Sequence, residues 1–179
     1  VLATSDGVAV LRHDERLADG TPVRALDLET LRRLARADED ALPTVASVLE
    51  AWPEGKTLDL ELKVPGAARA LRALAPLPRG CVLTSFYAAE VLEALAAFPG
   101  TRVGLLVSRL PLRFVPPGTA FLSVLHVLLP EVRARFPDLP IWAWTVAGEA
   151  SVRAARAANA EVVIADDVAG VAALLAKDA

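Results

Sequence analysis

The sequence predicts an α/β fold in which parallel strands alternate with helices, most simply a TIM-like (β/α)8 barrel, on three observations. Short apolar runs begin at positions 57, 81, 102, 120, 141 and 161, a nearly constant interval. Amphipathic segments of helical spacing fill the gaps. Polar residues collect at the C-terminal ends of the runs, where closed β/α barrels keep their active sites: Glu61 and Lys63, Thr84 and Ser85, Ser108, Ser123 and His126, Thr145, Asp166 and Asp167. An open doubly wound sheet shares the alternation. A dinucleotide fold of that kind should carry a G-x-G-x-x-G turn after an early strand, and the sequence has none.

The first 56 residues stand outside the repeat. Thr4-Ser5-Asp6-Gly7 is a turn signal, Val8–Arg12 reads as a short strand, and Leu26–Leu34 and Thr44–Leu49 read as helices with Asp27 and Thr44 as N-caps. A hairpin, a loop and a docking helix are the expectation. From Thr57 the strands are Thr57–Val64, Cys81–Phe86, Arg102–Val107, Ala120–Leu125, Ile141–Val146 and Glu161–Asp166, most of them apolar throughout, as in sheets covered on both faces. The helices are Ala67–Leu74, Tyr87–Phe98, Pro130–Phe136, Glu149–Ala158 and Val168–Lys177. In them Leu92 with Leu95, or Val152 with Ala155, fall on neighbouring turns, and Glu90, Glu93 and Arg153 are expected to face water. Leu110–Gly118, with three prolines, is expected to be an irregular connection. Residues 1–179 thus read as one domain, 1–56 leading into the repeat of 57–179.

Composition narrows the function classes. Hydrophobic residues make up 54% and charged residues 23%, which excludes a disordered chain. A formal net charge of -3 leaves no electrostatic footprint for a nucleic-acid partner. A single Cys excludes an internal disulfide, and Cys81, opening an apolar strand, reads as packing. The apolar stretches 119–130 and 81–98 are respectively too short and interrupted by Glu90 and Glu93, so no membrane span is predicted and a soluble protein is expected. The chain opens on Val1 without an initiator Met or a signal segment, so a preceding segment is expected. A cytoplasmic location is favoured, with an unseen N-terminal signal left open.

Glu61 and Lys63 lie two apart on an apolar strand and therefore share a face. Two ionisable groups on a covered sheet need partners, water or an ion. A structural ion pair capping the strand and a functional pair both satisfy that need. His13-Asp14 after the first strand reads as a solvated turn or as an acid–base pair, and His126 as a rim histidine or a ligand. Trp142 and Trp144 share one face of their strand, the one filling core and the other free to line a pocket.

Six segments in order carry a family resemblance: V-L-A-T-S-D-G-V-A-V-L-R-H-D at Val1–Asp14, L-P-T-V-A-S-V-L at Leu42–Leu49, L-D-L-E-L-K at Leu58–Lys63, T-S-F at Thr84–Phe86, W-T-V at Trp144–Val146 and I-A-D-D at Ile164–Asp167. The chain resembles the glycerophosphodiester phosphodiesterase family from its first residue to near its last. The resemblance implies a βα barrel that hydrolyses small glycerophosphodiesters to sn-glycerol 3-phosphate and an alcohol with a divalent metal, Ca2+ or Mg2+. It implies that His13 is a catalytic histidine, Glu61 a metal ligand, Lys63 the basic residue near the phosphate and Trp144 a pocket wall, with His126 a looser match to a rim residue. The chemistry is consistent, because an anionic diester with a poor leaving group needs charge neutralisation and proton transfer.

Two departures qualify the likeness. The family's His-Arg-Gly and Glu-x-Asp strands, which carry a second catalytic His and two metal carboxylates, have no counterpart before Val1. The first two barrel strands are therefore expected to lie in a segment of ~45 residues not shown, given ~200–250 residues for a whole barrel. Ala147 stands where the family commonly has Asn after W-T-V. The alternative is a non-catalytic barrel relative that binds ligand or a partner without turnover, which would follow if the protein truly started near Val1. Head group, metal and oligomeric state are not read from the sequence.

Overall fold

The computed structural model describes residues 1–34 and 42–177. Six parallel strands, β3 (Leu58–Glu61), β4 (Cys81–Ser85), β5 (Arg102–Val107), β6 (Phe121–Leu125), β7 (Ile141–Trp144) and β8 (Val162–Val163), neighbour one another in chain order. With helices between them, they form a partial TIM-like β/α barrel. The chain divides into two units, Val1–Val103 and Gly104–Ala179, the division falling inside β5.

The first unit opens on an antiparallel hairpin of β1 (Leu2–Ala3) and β2 (Ala9–Val10), turned through Thr4-Ser5-Asp6-Gly7, as its turn chemistry predicts. Helix α1 (Leu28–Leu34) is capped by Asp27, whose Oδ1 accepts the Thr30 N–H at 2.7 Å. Helix α2 (Val45–Ala51) is capped by Thr44, whose Oγ1 accepts the Ser47 N–H at 3.1 Å. Leu2, Val10, Leu17, Val23, Leu31 and Leu42 close into one buried cluster, so the hairpin has a core of its own and is not a loose appendage. The hairpin is also stitched to the end of β3, where the Lys63 N–H donates to the Val1 carbonyl at 3.1 Å.

Strand β3 alternates as its sequence dictates. Leu58, Leu60 and Leu62 are buried, and Asp59 and Glu61 take the other face. Its parallel partner β4 is buried throughout, with Glu61 opposite Thr84. Helices α3 (Ala67–Leu71) and α4 (Ala88–Ala97) follow the two strands. Cys81 is buried and free, in keeping with a packing role. Glu90 corrects an expectation: helical spacing turns it toward water, yet it is 3% exposed. Its carboxylate accepts the Gly66 and Ala68 N–H groups at 2.7 and 3.0 Å, and these long-range partners compensate its burial.

In the second unit, β5 to β8 run parallel, and helices α5 (Leu129–Arg135), α6 (Gly148–Ala157) and α7 (Val168–Ala176) follow β6, β7 and β8. Residues 111–116 carry no regular element, as the prolines predict. The rings of Phe121 and Trp142 stack with centroids 4.1 Å apart. Gly104, opposite Phe121 on β5, makes room for them, since a Cβ there would lie 2.4 Å from the Phe121 ring. Asp167 caps α7 through the Gly170 N–H at 2.9 Å. Arg133 gathers the ends of neighbouring segments, donating to the carbonyls of Ala158 and Pro137 at 2.7 Å, of Leu139 at 3.1 Å and of Phe136 at 3.3 Å.

Candidate active site

The first unit carries the charged residues that the sequence singles out. Strand pleat puts Glu61 and Lys63 on one side, and the Lys63 Nζ donates to Glu61 Oε2 at 2.7 Å. Side-chain exposures of 19% for Lys63 and 31% for Glu61 leave the pair partly open to water. This is neither hydrophobic packing around a stranded charge nor a fully solvated surface pair. The pair holds its shape while its remaining donors and lone pairs stay accessible to a ligand.

Asp59 belongs to the same face and escaped the sequence reading. The alternation that joins Glu61 to Lys63 extends back to it, so the signal was present in L-D-L-E-L-K. Thr84 donates its hydroxyl to Asp59 Oδ1 at 2.8 Å. Asp59 keeps some surface open to solvent, but desolvation of its carboxyl end pushes the group up to about 6, assisted by Glu61 and opposed by the Thr84 hydroxyl.

His13 stands on the turn after β2, with its side chain 87% exposed. Its Nδ1 lies 2.8 Å from Asp14 Oδ1. An ionised carboxylate only accepts, so Nδ1 carries the proton and Nε2 is left as the basic nitrogen. The His13 hydrogen bond holds the Asp14 carboxyl below its ordinary range, and the positive charge of Lys63 acts in the same direction.

The second unit carries the other two candidates. His126 opens a short 3-10 turn after β6 and is half-buried. Its Nδ1 is enclosed and has no hydrogen-bond partner among the described residues. It borders a cavity of about 340 Å³ walled by Val127, Pro130, Ala147, Ala150 and Ala154. Trp144 ends β7 half-buried, whereas Trp142 is buried on Phe121, so the two indoles divide as the strand pattern suggests. Ser123, also in the row of polar residues, is fully buried on β6. Thr84 and Ser85 are engaged too, Ser85 Oγ donating to the Leu62 carbonyl at 2.7 Å.

A hard divalent cation takes oxygen ligands, and the Glu61 carboxylate, partly exposed beside Asp59 on one strand face, is of that chemistry. Among the described residues no three His, Cys, Asp or Glu side chains gather as a metal cluster. Glu61 is thus of the chemistry such an ion takes, without a full ligand set around it among the described residues.

Comparison with known proteins shows what the chain is similar to. Residues 1–79, which include His13, Glu61 and Lys63, match the family model of the glycerophosphoryl diester phosphodiesterases. The matched stretch is less than half of the 179-residue chain, and over it the chain is similar to that family. No curated protein matches the sequence. Among solved structures, a glycerophosphodiester phosphodiesterase from Parabacteroides distasonis is 18% identical, with a TM-score of 0.80 over 99% of this chain and 82% of that one. One from Thermotoga maritima is 22% identical, with a TM-score of 0.74 over 99% and 81%. An Oleispira antarctica phosphodiesterase, solved in complex with the product sn-glycerol-3-phosphate, is 20% identical, with a TM-score of 0.78 over 97% and 82%. At these identities the structural likeness is one of fold. Within the described residues no helix is long and apolar enough to cross a membrane.

Proposed function

We propose that the protein hydrolyses glycerophosphodiesters to sn-glycerol 3-phosphate and an alcohol, with a divalent metal. The observation that carries this reading is the Glu61–Lys63 pair, joined at 2.7 Å and partly open, in the same unit as the His13–Asp14 turn.

Each residue has a distinct task in this scheme. Lys63 binds a phosphoryl oxygen by charge-assisted hydrogen bonding, and Glu61 holds the ammonium toward it. His13 moves the proton at Nε2, because Asp14 fixes the opposite nitrogen as the donor. Asp14 also stabilises the imidazolium form once that proton is taken. Glu61 would hold the metal, which would supply charge neutralisation to the phosphoryl oxygens. Trp144, with its half-buried aromatic surface, and His126, with its enclosed Nδ1, are each proposed as binding residues.

The test is release of sn-glycerol 3-phosphate from glycerophosphocholine and glycerophosphoethanolamine by the full chain, with added Ca2+ or Mg2+ and with chelator. Metal-dependent release, abolished in Glu61→Ala and His13→Ala, supports the proposal. Release that continues in chelator, or that survives both substitutions, removes it. Binding of sn-glycerol 3-phosphate without turnover of either diester would instead mark a non-catalytic member of the fold.

A further inference from the structure

We infer that Ser85 and Glu90 are positioning residues for the Glu61–Lys63 pair: rooted in the β4–α4 corner, they fix the backbone of residues 62–68 and through it the Lys63 ammonium. The inference rests on the phosphate-binding role proposed for Lys63. Its evidence is a set of bonds that converge on one short stretch of chain. Ser85 Oγ donates to the Leu62 carbonyl at 2.7 Å and accepts the Tyr87 N–H at 3.1 Å. The Glu90 oxygens separately accept the Gly66 and Ala68 N–H groups at 2.7 and 3.0 Å. The Leu62 and Lys63 N–H groups are held in turn by the Thr84 and Val1 carbonyls, at 2.6 and 3.1 Å.

Apart from the Tyr87–Ser85 bond, every one of these contacts ends within five residues of Lys63. The chain must turn sharply straight after it, because Gly66 has φ +90°, a conformation that disfavours other residues. A turn of this kind at a surface could leave its N–H groups to water. Here they are covered, and a carboxylate 3% exposed replaces that water with two directed acceptors. Packing α3 against α4 would be served as well by an apolar side chain at position 90, without burying a charge. What the charge adds is a fixed bend directly after the strand end that presents Lys63.

The experiment compares the full-length wild type with Glu90→Gln by residue-resolved amide hydrogen exchange. Gln keeps the shape but offers one acceptor in place of two, so one N–H loses its partner. Exchange at Leu62 and Lys63 is expected to rise about tenfold or more, while Ile164, paired to Ala143 in the second unit, stays unchanged. Faster exchange confined to Gly66 and Ala68 would overturn the inference and leave Glu90 a cap for its own turn. Diester hydrolysis is expected to fall about ten- to a hundredfold in Glu90→Gln, as displaced binding groups do. Added to Lys63→Met, the same change should cost nothing more, whereas additive losses would show that Glu90 does not act through Lys63. A wild type without turnover would defeat the phosphodiesterase reading, and hydrogen exchange would still decide the positioning role. Should Glu90→Gln fail to fold, Ser85→Ala puts the same question to the Leu62 and Lys63 amides, with the same outcomes.

Discussion

Strand β3 and the β6–β7 pair are built from the same repeat and treat one face in opposite ways. On β3 the buried leucines occupy one side, and the other carries Asp59 and Glu61, followed by Lys63. On β6 and β7 a face is filled instead by stacked rings, with Gly104 as their clearance. The difference shows how a βα repeat divides labour: one strand keeps polar groups available, and others supply a rigid wall whose identity is nearly all van der Waals contact. Apolar continuity alone does not separate the two. What separates them is the chemistry at every second residue.

The largest expected effects set function against packing. Glu61→Ala and His13→Ala should each lower diester hydrolysis by about 10²–10⁴-fold while leaving thermal unfolding close to wild type, since neither side chain is deep in packing. Phe121→Ala should do the reverse to stability, costing about 3–5 kcal/mol by loss of a buried ring, read by denaturant titration. If Glu61→Ala destabilises as much as Phe121→Ala, the charged face of β3 is structural and the contrast fails. Next comes Gly104→Ala, whose added methyl must push the Phe121 ring aside, at about 1–3 kcal/mol. Phe121→Leu in that background should recover part of the loss. No loss in Gly104→Ala would mean that the wall is loosely packed.

The smallest effect concerns pH. Asp59, raised to about 6 in the fold from an ordinary 3.8, binds more protons folded than unfolded between those values. Its contribution to stability is therefore fully present below about 3.8 and is lost as the pH rises through about 6. Asp59→Asn keeps an acceptor for the Thr84 hydroxyl and removes that dependence. The variant should gain stability over wild type at pH 8, by less than about 1 kcal/mol because the side chain keeps solvent contact, and the gain should vanish near pH 4. Melting curves at the two pH values measure it, and an equal shift at both would place the effect elsewhere than in titration.

Much of this architecture was legible in the sequence because it is written in local patterns. The strand runs from Cys81 and from Arg102, the caps Asp27 and Thr44, and the hairpin turn at Thr4–Gly7 each follow from adjacent residues. The final strand, Val162–Val163, is shorter than its apolar run, with the Glu161 and Ile164 N–H groups on either side of it bonded to the Ile141 and Ala143 carbonyls. Glu90 was misjudged for a different reason: a helical wheel reports the face of one helix, while the fate of that carboxylate depends on two N–H groups more than twenty residues earlier. The Glu61–Lys63 juxtaposition was readable from strand period, and Asp59 could have been. The orientation of His13 by Asp14 required coordinates, since adjacent residues in a turn have no fixed mutual geometry.

The guanidinium of Arg133 has a consequence of another kind. Its partners are main-chain oxygens, which neither titrate nor exchange places with dissolved anions, so this knot ignores both acid and brine. Lysine, with a compact head and no planar fork, could not span the same oxygens. Losing that one side chain would slacken several chain ends at once, and the second unit would fray from the side where its helices finish.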